Sequence, residues 1–440
     1  MNPGDTIFAP ASGFGRAGIA VIRLSGPGSR GALESLLAGR LPEPRRASLR
    51  RLSHPRTGDI LDQAVVLWCP GPGSFTGEDL AELHIHGGAA VRAAVIGALA
   101  DLPGLRAAEP GEFTRRAFLN GRMDLSAVEG LADLIDAETE AQRRQAFRQL
   151  EGALADRVTD WRDRLANALA LAEAGLDFTD EADVSEQAHS EAAAIFSVLL
   201  GEVERELSRA AQGERLREGF VVVIAGPPNA GKSTLLNALA RREVAIVSPH
   251  AGTTRDMIEV RCDLAGLPVT FVDTAGLREA ADPVEQEGIG RTRKRAREAD
   301  LVLWLAAPGS DGAPAEDFGA VPVLVVATKL DVAAPDPGSA LAISARNGDG
   351  LDALIGAVRE RAEAGFMGAG DAVVTRERHR RALEDVAASL ARAEHAHTAG
   401  QDELAAEDVR LALRALGRIT GQVDVEQILD RIFGQFCIGK

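Results

Sequence analysis

The stretch Gly226-Pro-Pro-Asn229-Ala230-Gly231-Lys232-Ser233 has residue types and a spacing that point directly to chemistry. It follows the apolar run Val221-Val-Val-Ile-Ala225 and precedes Leu235-Leu-Asn-Ala-Leu239. A glycine-rich turn between a strand and a helix lets backbone N–H groups close around phosphates at the helix N-terminus. In that reading Lys232 reaches the β- and γ-phosphates and the Ser233 hydroxyl ligates Mg²⁺. Asn229, Ala230, Gly231 and Thr234 complete the loop.

Further pieces follow in the order such a site needs. Asp273-Thr274-Ala275-Gly276 ends an apolar strand, where the carboxylate can hold the Mg²⁺ shell and Gly276 N–H can meet the γ-phosphate. Between the two motifs, Gly252-Thr253-Thr254-Arg-Asp256 reads as a switch loop, with Thr254 completing the Mg²⁺ coordination. Thr328-Lys329-Leu330-Asp331 then follows Val321–Ala327. A carboxylate at 331 accepts two hydrogen bonds from a guanine edge, which adenine cannot supply, so GTP is expected over ATP. Many guanine-reading loops start with Asn, and Thr328 in its place predicts weaker bracing. Ser344-Ala345-Arg346 is the expected second base contact, through backbone N–H groups. Leu277 stands where other GTPases carry a water-orienting Gln, so that group must come from elsewhere. Glu279, Asp282, Glu285 and Glu287 are the nearby carboxylates, and spacing alone does not choose among them.

The positioning elements are legible as a multidomain pattern. Residues 1–118 read as mixed α/β, with strands at Gly18–Leu24 and Asp62–Trp68 and a helix through Val91, Val95 and Leu99. Residues 119–215 read as helical. Ser126 and Glu129 have capping-box spacing, and Leu150, Leu154, Val158, Trp161, Leu165 and Leu169 trace one face of a long helix. Residues 216–370 alternate apolar strands with helices, which predicts a parallel sheet covered on both faces. Residues 371–440 are helical again, and the two helical segments are expected to pack together around an inserted α/β domain.

Composition limits the partners. A net charge of −16 disfavours phosphate backbones except through a local basic patch. With no tyrosine and 4% aromatics, stacking on bases is not the main device. Cys69, Cys262 and Cys437 have neither metal nor disulfide spacing, and no apolar run reaches the length of a membrane span. A cytoplasmic protein is expected. His84 and His86 share a strand face, but no third ligand has diagnostic spacing, so no metal is expected there.

With the nucleotide motifs and both flanking regions together, the chain resembles the MnmE (TrmE) family of bacterial tRNA-modification GTPases along its whole length. The resemblance rests on Asn229, Gly252–Asp256, Asp273-Thr-Ala-Gly-Leu-Arg278 and Phe436-Cys-Ile-Gly-Lys440. Ser74-Phe-Thr-Gly-Glu-Asp79, His86-Gly-Gly88, Pro110–Phe113 and Ala117–Asn120 carry it in the N-terminal region. It implies a tetrahydrofolate-binding-like N-terminal domain, a discontinuous helical domain and an inserted Ras-like G domain. It implies a homodimer that forms a heterotetramer with an FAD-containing MnmG-type partner and adds an aminomethyl or carboxymethylaminomethyl group to C5 of the wobble uridine of certain tRNAs. A folate, 5-formyltetrahydrofolate or a relative, carries the one-carbon unit, and GTP hydrolysis is required.

By position, the resemblance assigns Glu285 as the catalytic glutamate. It assigns K⁺ to Asn229, Ser248, His250 and Thr253, and folate contacts to Arg23, Glu82, Arg122 and Lys440. Cys437 is placed near the folate without an assigned role. The competing expectations are a regulatory GTPase of ribosome or ribonucleoprotein assembly without modification chemistry, and an ATPase.

Overall fold

The computed structural model of the chain describes residues 4–13, 15–37, 39–177, 182–246, 259–273, 298–309, 318–334, 341–423, 426–434, 436 and 438–439. They form two compact units, Met1–Ala132 with Gly417–Lys440, and Asp133–Leu416. Among the described residues no helix is long and apolar enough to cross a membrane.

The first unit is built on a six-stranded sheet. Its strands are β1 (Thr6–Pro10), β2 (Ile19–Ser25), β3 (Ser48–Ser53), β4 (Ile60–Cys69), β5 (Leu80–His86) and β6 (Leu105–Ala107), in the order β3-β4-β5-β2-β1-β6. All neighbours are antiparallel except β1 and β6. Side chains alternate along each strand. Ile22, Leu24, Val66, Leu83 and Ile85 therefore join the helices α1 (Ser29–Leu36) and α2 (Ala89–Ala100) in one apolar core. The alternate positions, Arg23 and Glu82 among them, face the other way, where α3 (Glu112–Leu119) supplies the buried Phe113.

Several residues quoted in the N-terminal motifs hold this unit together. Glu112, 2% exposed, accepts both terminal nitrogens of Arg106 at 2.8 and 2.6 Å, Arg116 Nη2 at 3.1 Å and the Glu109 N–H at 2.9 Å. Arg116 also reaches Glu78 at 2.9 Å, and Glu78 accepts from the Ser25 hydroxyl. The chain terminus packs into the same unit. Phe433 and Phe436 cluster with Leu125 and Val128 of α4 (Leu125–Asp136), after α12 (Glu426–Phe433). Ile438 bridges to Pro110. Gly111 has φ +68°, and a Cβ there would stand 2.5 Å from the Phe433 carbonyl oxygen, so glycine is needed for this closure.

The second unit combines helices with an α/β part. Its helices are α5 (Glu140–Leu150), α6 (Ala153–Asp177), α7 (Ala182–Glu218), α10 (Glu377–Thr398) and α11 (Asp402–Thr420), and α7 packs on both α6 and α10. Trp161 of α6 is buried and donates Nε1–H to Glu202 of α7 at 2.9 Å. The sheet runs β11-β10-β7-β9-β8, from β7 (Phe220–Ala225), β8 (Glu259–Leu264), β9 (Leu267–Asp273), β10 (Leu301–Ala306) and β11 (Val323–Ala327). β7, β9, β10 and β11 are parallel and β8 is an antiparallel edge. α8 (Lys232–Ala240) and α9 (Leu351–Gly365) contribute Leu235, Leu236, Leu239, Leu354 and Val358 to its core.

Two local expectations change. Ser126 is not a helix cap. Asp124 Oδ1 accepts from the N–H groups of Ser126 and Ala127, because a carboxylate two residues earlier meets the helix-start donors first. A reciprocal capping box forms instead at Thr139 and Gln142, at the start of α5. The apolar run from Leu150 to Leu169 is also two helices. Gly152, at φ +98°, breaks it between α5 and α6.

The buried Glu112 yields a pH-dependent expectation. Burial alone would raise its carboxyl, but the paired Arg106 and the Glu109 N–H outweigh it and hold it below the usual carboxylate range. A lowered folded pKa gives stability that is complete above the ordinary value of about 4.3 and is lost as pH falls through the folded value. Glu112→Gln is expected to cost the first unit about 1–3 kcal/mol at neutral pH, because a neutral amide cannot accept at both ends while Arg116 keeps Glu78 and Arg106 keeps Asp5. It should also shrink the acid loss below that pH, as measured by urea denaturation at neutral and acidic pH.

Candidate functional site

The phosphate-loop candidate sits where the parallel sheet requires, at the carboxyl edge between β7 and α8. Gly226 has φ +145°, and a Cβ there would lie 2.6 Å from the Leu305 carbonyl oxygen of β10. Asn229 holds φ +61°, a left-handed conformation unusual for a residue with a side chain, and is exposed. Gly231, at φ +99°, caps α8, and the first helical hydrogen bond is Leu235 N–H to Gly231 O at 2.8 Å. Residues 231–234 therefore form the helix start that presents N–H groups to an anion. The Lys232 ammonium bends back over the loop and donates to Gly226 O at 2.9 Å and Pro227 O at 3.0 Å.

The neighbouring strand brings the second piece. Ile224 of β7 stands opposite Asp273 of β9, so the carboxylate lies at the same edge. Asp273 is 1% exposed and accepts the Ser233 hydroxyl at 2.7 Å. A hydroxyl and a carboxylate in contact form an oxygen donor set that suits Mg²⁺.

The third piece follows β11. Asp331 Oδ1 accepts the Ser344 hydroxyl at 2.8 Å, which orients the carboxylate, and Ser344 is fully buried. The Ser344 N–H is already given to Asp349 O at 2.9 Å. Within Ser344-Ala345-Arg346, a base contact through backbone N–H therefore falls to the second and third residues. Lys329 holds φ +60° at the turn that separates Thr328 from Asp331.

Thr328 braces the loop, where the sequence predicts lost bracing. Its hydroxyl donates to Ala230 O at 2.8 Å, and its N–H to Ala306 O at 2.9 Å. The side chain thus spans from the loop after β11 to the loop before α8, 98 residues apart in sequence. A hydroxyl is short, but at this approach it reaches the carbonyl that needs a donor.

Ser248, His250, Thr253, Thr254, Thr274, Ala275, Gly276, Leu277 and Glu285 lie outside the described residues, as do Cys437 and Lys440.

The other candidate face is in the first unit. Arg23 and Glu82 are cross-strand partners, and the guanidinium donates to Glu82 Oε1 through Nε at 3.1 Å and Nη2 at 2.9 Å. The Arg23 guanidinium also lies 5.4 Å from the Phe75 ring centre and 5.8 Å from that of Phe113. Both aromatics fall within the N-terminal motifs, yet spacing does not reveal that they flank the arginine. Arg122 is exposed and packs beside Gly77, on the loop that Asn120 holds by donating to Thr76 O at 2.7 Å. His84 bonds Glu82 at 3.3 Å and His86 bonds Asp62 at 2.7 Å, so the two histidines serve different carboxylates. Cys262 is fully buried and its thiol is pushed up to about 12, which makes it a packing residue.

Known proteins resemble the chain along nearly its whole length. A model of the GTP-binding protein TrmE N-terminus matches residues 6–122, and a model of the MnmE helical domain matches residues 125–437. The tRNA modification GTPase MnmE of Methylobacterium sp. (strain 4-46) is 63% identical over 442 residues, covering 99% of this chain and 100% of its own length. The proteins of that name from Methylorubrum populi and Methylobacterium radiotolerans are 60% and 58% identical, covering 99% and 100% of this chain and 98% and 100% of their own lengths.

The bracing hydrogen bond is testable. Thr328→Val keeps the shape and leaves Ala230 O without that donor, which is expected to cost about 1–3 kcal/mol. GDP affinity should fall roughly 5- to 150-fold. Thr328→Asn, which keeps a donor, should hold affinity closer to the wild type, as read by titration with a fluorescent guanine nucleotide.

Proposed function

The chain belongs to the MnmE family and is a GTPase, and we propose that its GTP hydrolysis serves modification of C5 of the wobble uridine in a subset of tRNAs. The observation that carries this reading is the carboxyl edge of one parallel sheet. There Gly226–Ser233, Asp273 and Thr328–Asp331 stand together, joined by the Ser233–Asp273 and Thr328–Ala230 hydrogen bonds.

The residues divide the work. The N–H groups at the start of α8, with Asn229, Ala230, Gly231, Lys232, Ser233 and Thr234, take the phosphates. Asp331 and the N–H groups of Ala345 and Arg346 read guanine. Ser233 and Thr254 would hold Mg²⁺, with Asp273 behind the serine. Asn229, Ser248, His250 and Thr253 would hold K⁺. The two cations supply positive charge beside the phosphates, the need an arginine finger meets elsewhere. Asn229 is suited to a share in this, since its left-handed backbone exposes the amide on the phosphate loop. Glu285 orients the attacking water, as Leu277 carries no group that can.

The first unit supplies the one-carbon side. Arg23, with Glu82, Arg122 and Lys440, forms the proposed folate site, and 5-formyltetrahydrofolate or a relative is its ligand. The Arg23–Glu82 pair offers a fixed carboxylate for the pterin N–H edge and a cation for the folate's glutamyl carboxylates. The protein acts as a homodimer with an FAD-containing MnmG-type partner in the cytoplasm.

In cells lacking this protein, nucleoside analysis of tRNA should show loss of the 5-substituted wobble uridines, restored by the wild type and not by Glu285→Ala. Unchanged nucleosides would refute the modification role. GTP hydrolysis should be faster in K⁺ than in Na⁺ at matched ionic strength, and Asn229→Ala should abolish the difference. A rate indifferent to the cation would remove the K⁺ assignment.

A further inference from the structure

His397 lies in the last turn of α10, with 1% of its surface exposed, and both of its ring nitrogens face acceptors. Nε2 lies 2.8 Å from the His189 carbonyl oxygen of α7, and Nδ1 lies 2.6 Å from Asp402 Oδ1 at the start of α11. A carbonyl only accepts, so Nε2 carries a hydrogen. In the neutral ring, Nδ1 then turns a lone pair toward a carboxylate oxygen. His189 adds another group, with its Nδ1 3.5 Å from the same Oδ1. Its ring stacks on that of His397, with centres 3.5 Å apart and planes 21° apart. All the candidate ligand atoms lie within 4.8 Å of one another.

A proton on His397 Nδ1 would satisfy one of these contacts and place an imidazolium against the second ring. A divalent cation meets all three ligand atoms once the part-exposed His189 ring turns out of its stack on His397, because imidazole lone pairs lie in the ring planes. We propose that His189, His397 and Asp402 form a site for Zn²⁺ or a similar divalent transition metal, joining α7, α10 and α11. Two imidazoles and a carboxylate select such ions over Mg²⁺, which prefers oxygen alone. The Nε2–H to backbone carbonyl bond is the outer support that fixes a ligating histidine's tautomer. Bonds of about 2.0–2.2 Å in a tetrahedral site place ligand atoms roughly 3.3 to 3.6 Å apart. The 2.6 Å contact would therefore open, while the 3.5 Å contact already fits. Among the described residues no fourth His, Cys, Asp or Glu joins the set, so water or a small ligand completes the coordination.

The test uses the full-length protein, stripped with a chelator and titrated with Co²⁺ in excess Mg²⁺. The wild type should take up one Co²⁺ with the visible bands of nitrogen and oxygen coordination. Asp402→Asn and His189→Ala should each weaken that binding at least about 10-fold. Zn²⁺ should raise the melting temperature of the wild type and not of the variants, while GTP hydrolysis stays unchanged in all. Equal uptake by the variants, or no uptake by the wild type, would overturn the proposal and leave the cluster as a proton-held helix clamp. If a variant fails to fold, the wild-type spectrum decides, since sulfur charge-transfer bands would place the metal on cysteine instead.

Discussion

The proposed nucleotide site of this chain depends on one register, Ile224 of β7 opposite Asp273 of β9 in parallel strands. Parallel strands end on the same edge, so the loops that follow them collect there whatever their separation in sequence. With β10 and β11 added in parallel, that edge gathers the loop at 226–233, the carboxylate at 273 and the loop at 328–331. A slip of one residue between β7 and β9 would turn Asp273 to the other face of the sheet and away from Ser233. The apolar packing of Leu235, Leu236 and Leu239 under α8 holds the helix start against this edge.

The bonds across the edge make it a site. The Ser233–Asp273 contact fixes a hydroxyl beside a carboxylate, and Thr328 ties the loop at 328–331 to the loop at 226–233 through Ala230. The two loops are therefore mechanically joined. The first unit shows the same economy in another form. Its Glu78, Glu112, Arg106 and Arg116 support the sheet from within, while Arg23 and Glu82 remain on the face available to a ligand.

Much of the fold was legible because its signals are local. Apolar strands followed by a glycine-rich turn, and helices with regular apolar spacing, need no knowledge of partners. The errors were also local. Ser126 had the spacing of a cap but lost the role to Asp124, and Gly152 broke a helical period that the leucines on either side continue. What could not be read involves pairing at long range. Thr328 and Ala230 are 98 residues apart, Arg23 and Glu82 are 59, and His397 and His189 are 208. Spacing carries no trace of such contacts until strand order or helix packing creates them. Thr328 is the sharpest case, since Thr in the place of Asn argued against the brace that the approach of two loops provides.

The claim on which the rest is built is that this edge binds guanine nucleotides through Asp331. Competition between GTP and xanthosine triphosphate for the wild type and Asp331→Asn tests it most directly. Xanthine carries an oxygen where guanine carries its amino group, so an amide at 331 can donate where a carboxylate can only accept. The wild type should prefer GTP and the variant the xanthine nucleotide. A variant that keeps its preference for guanine, or a wild type that binds ATP as well as GTP, would contradict it.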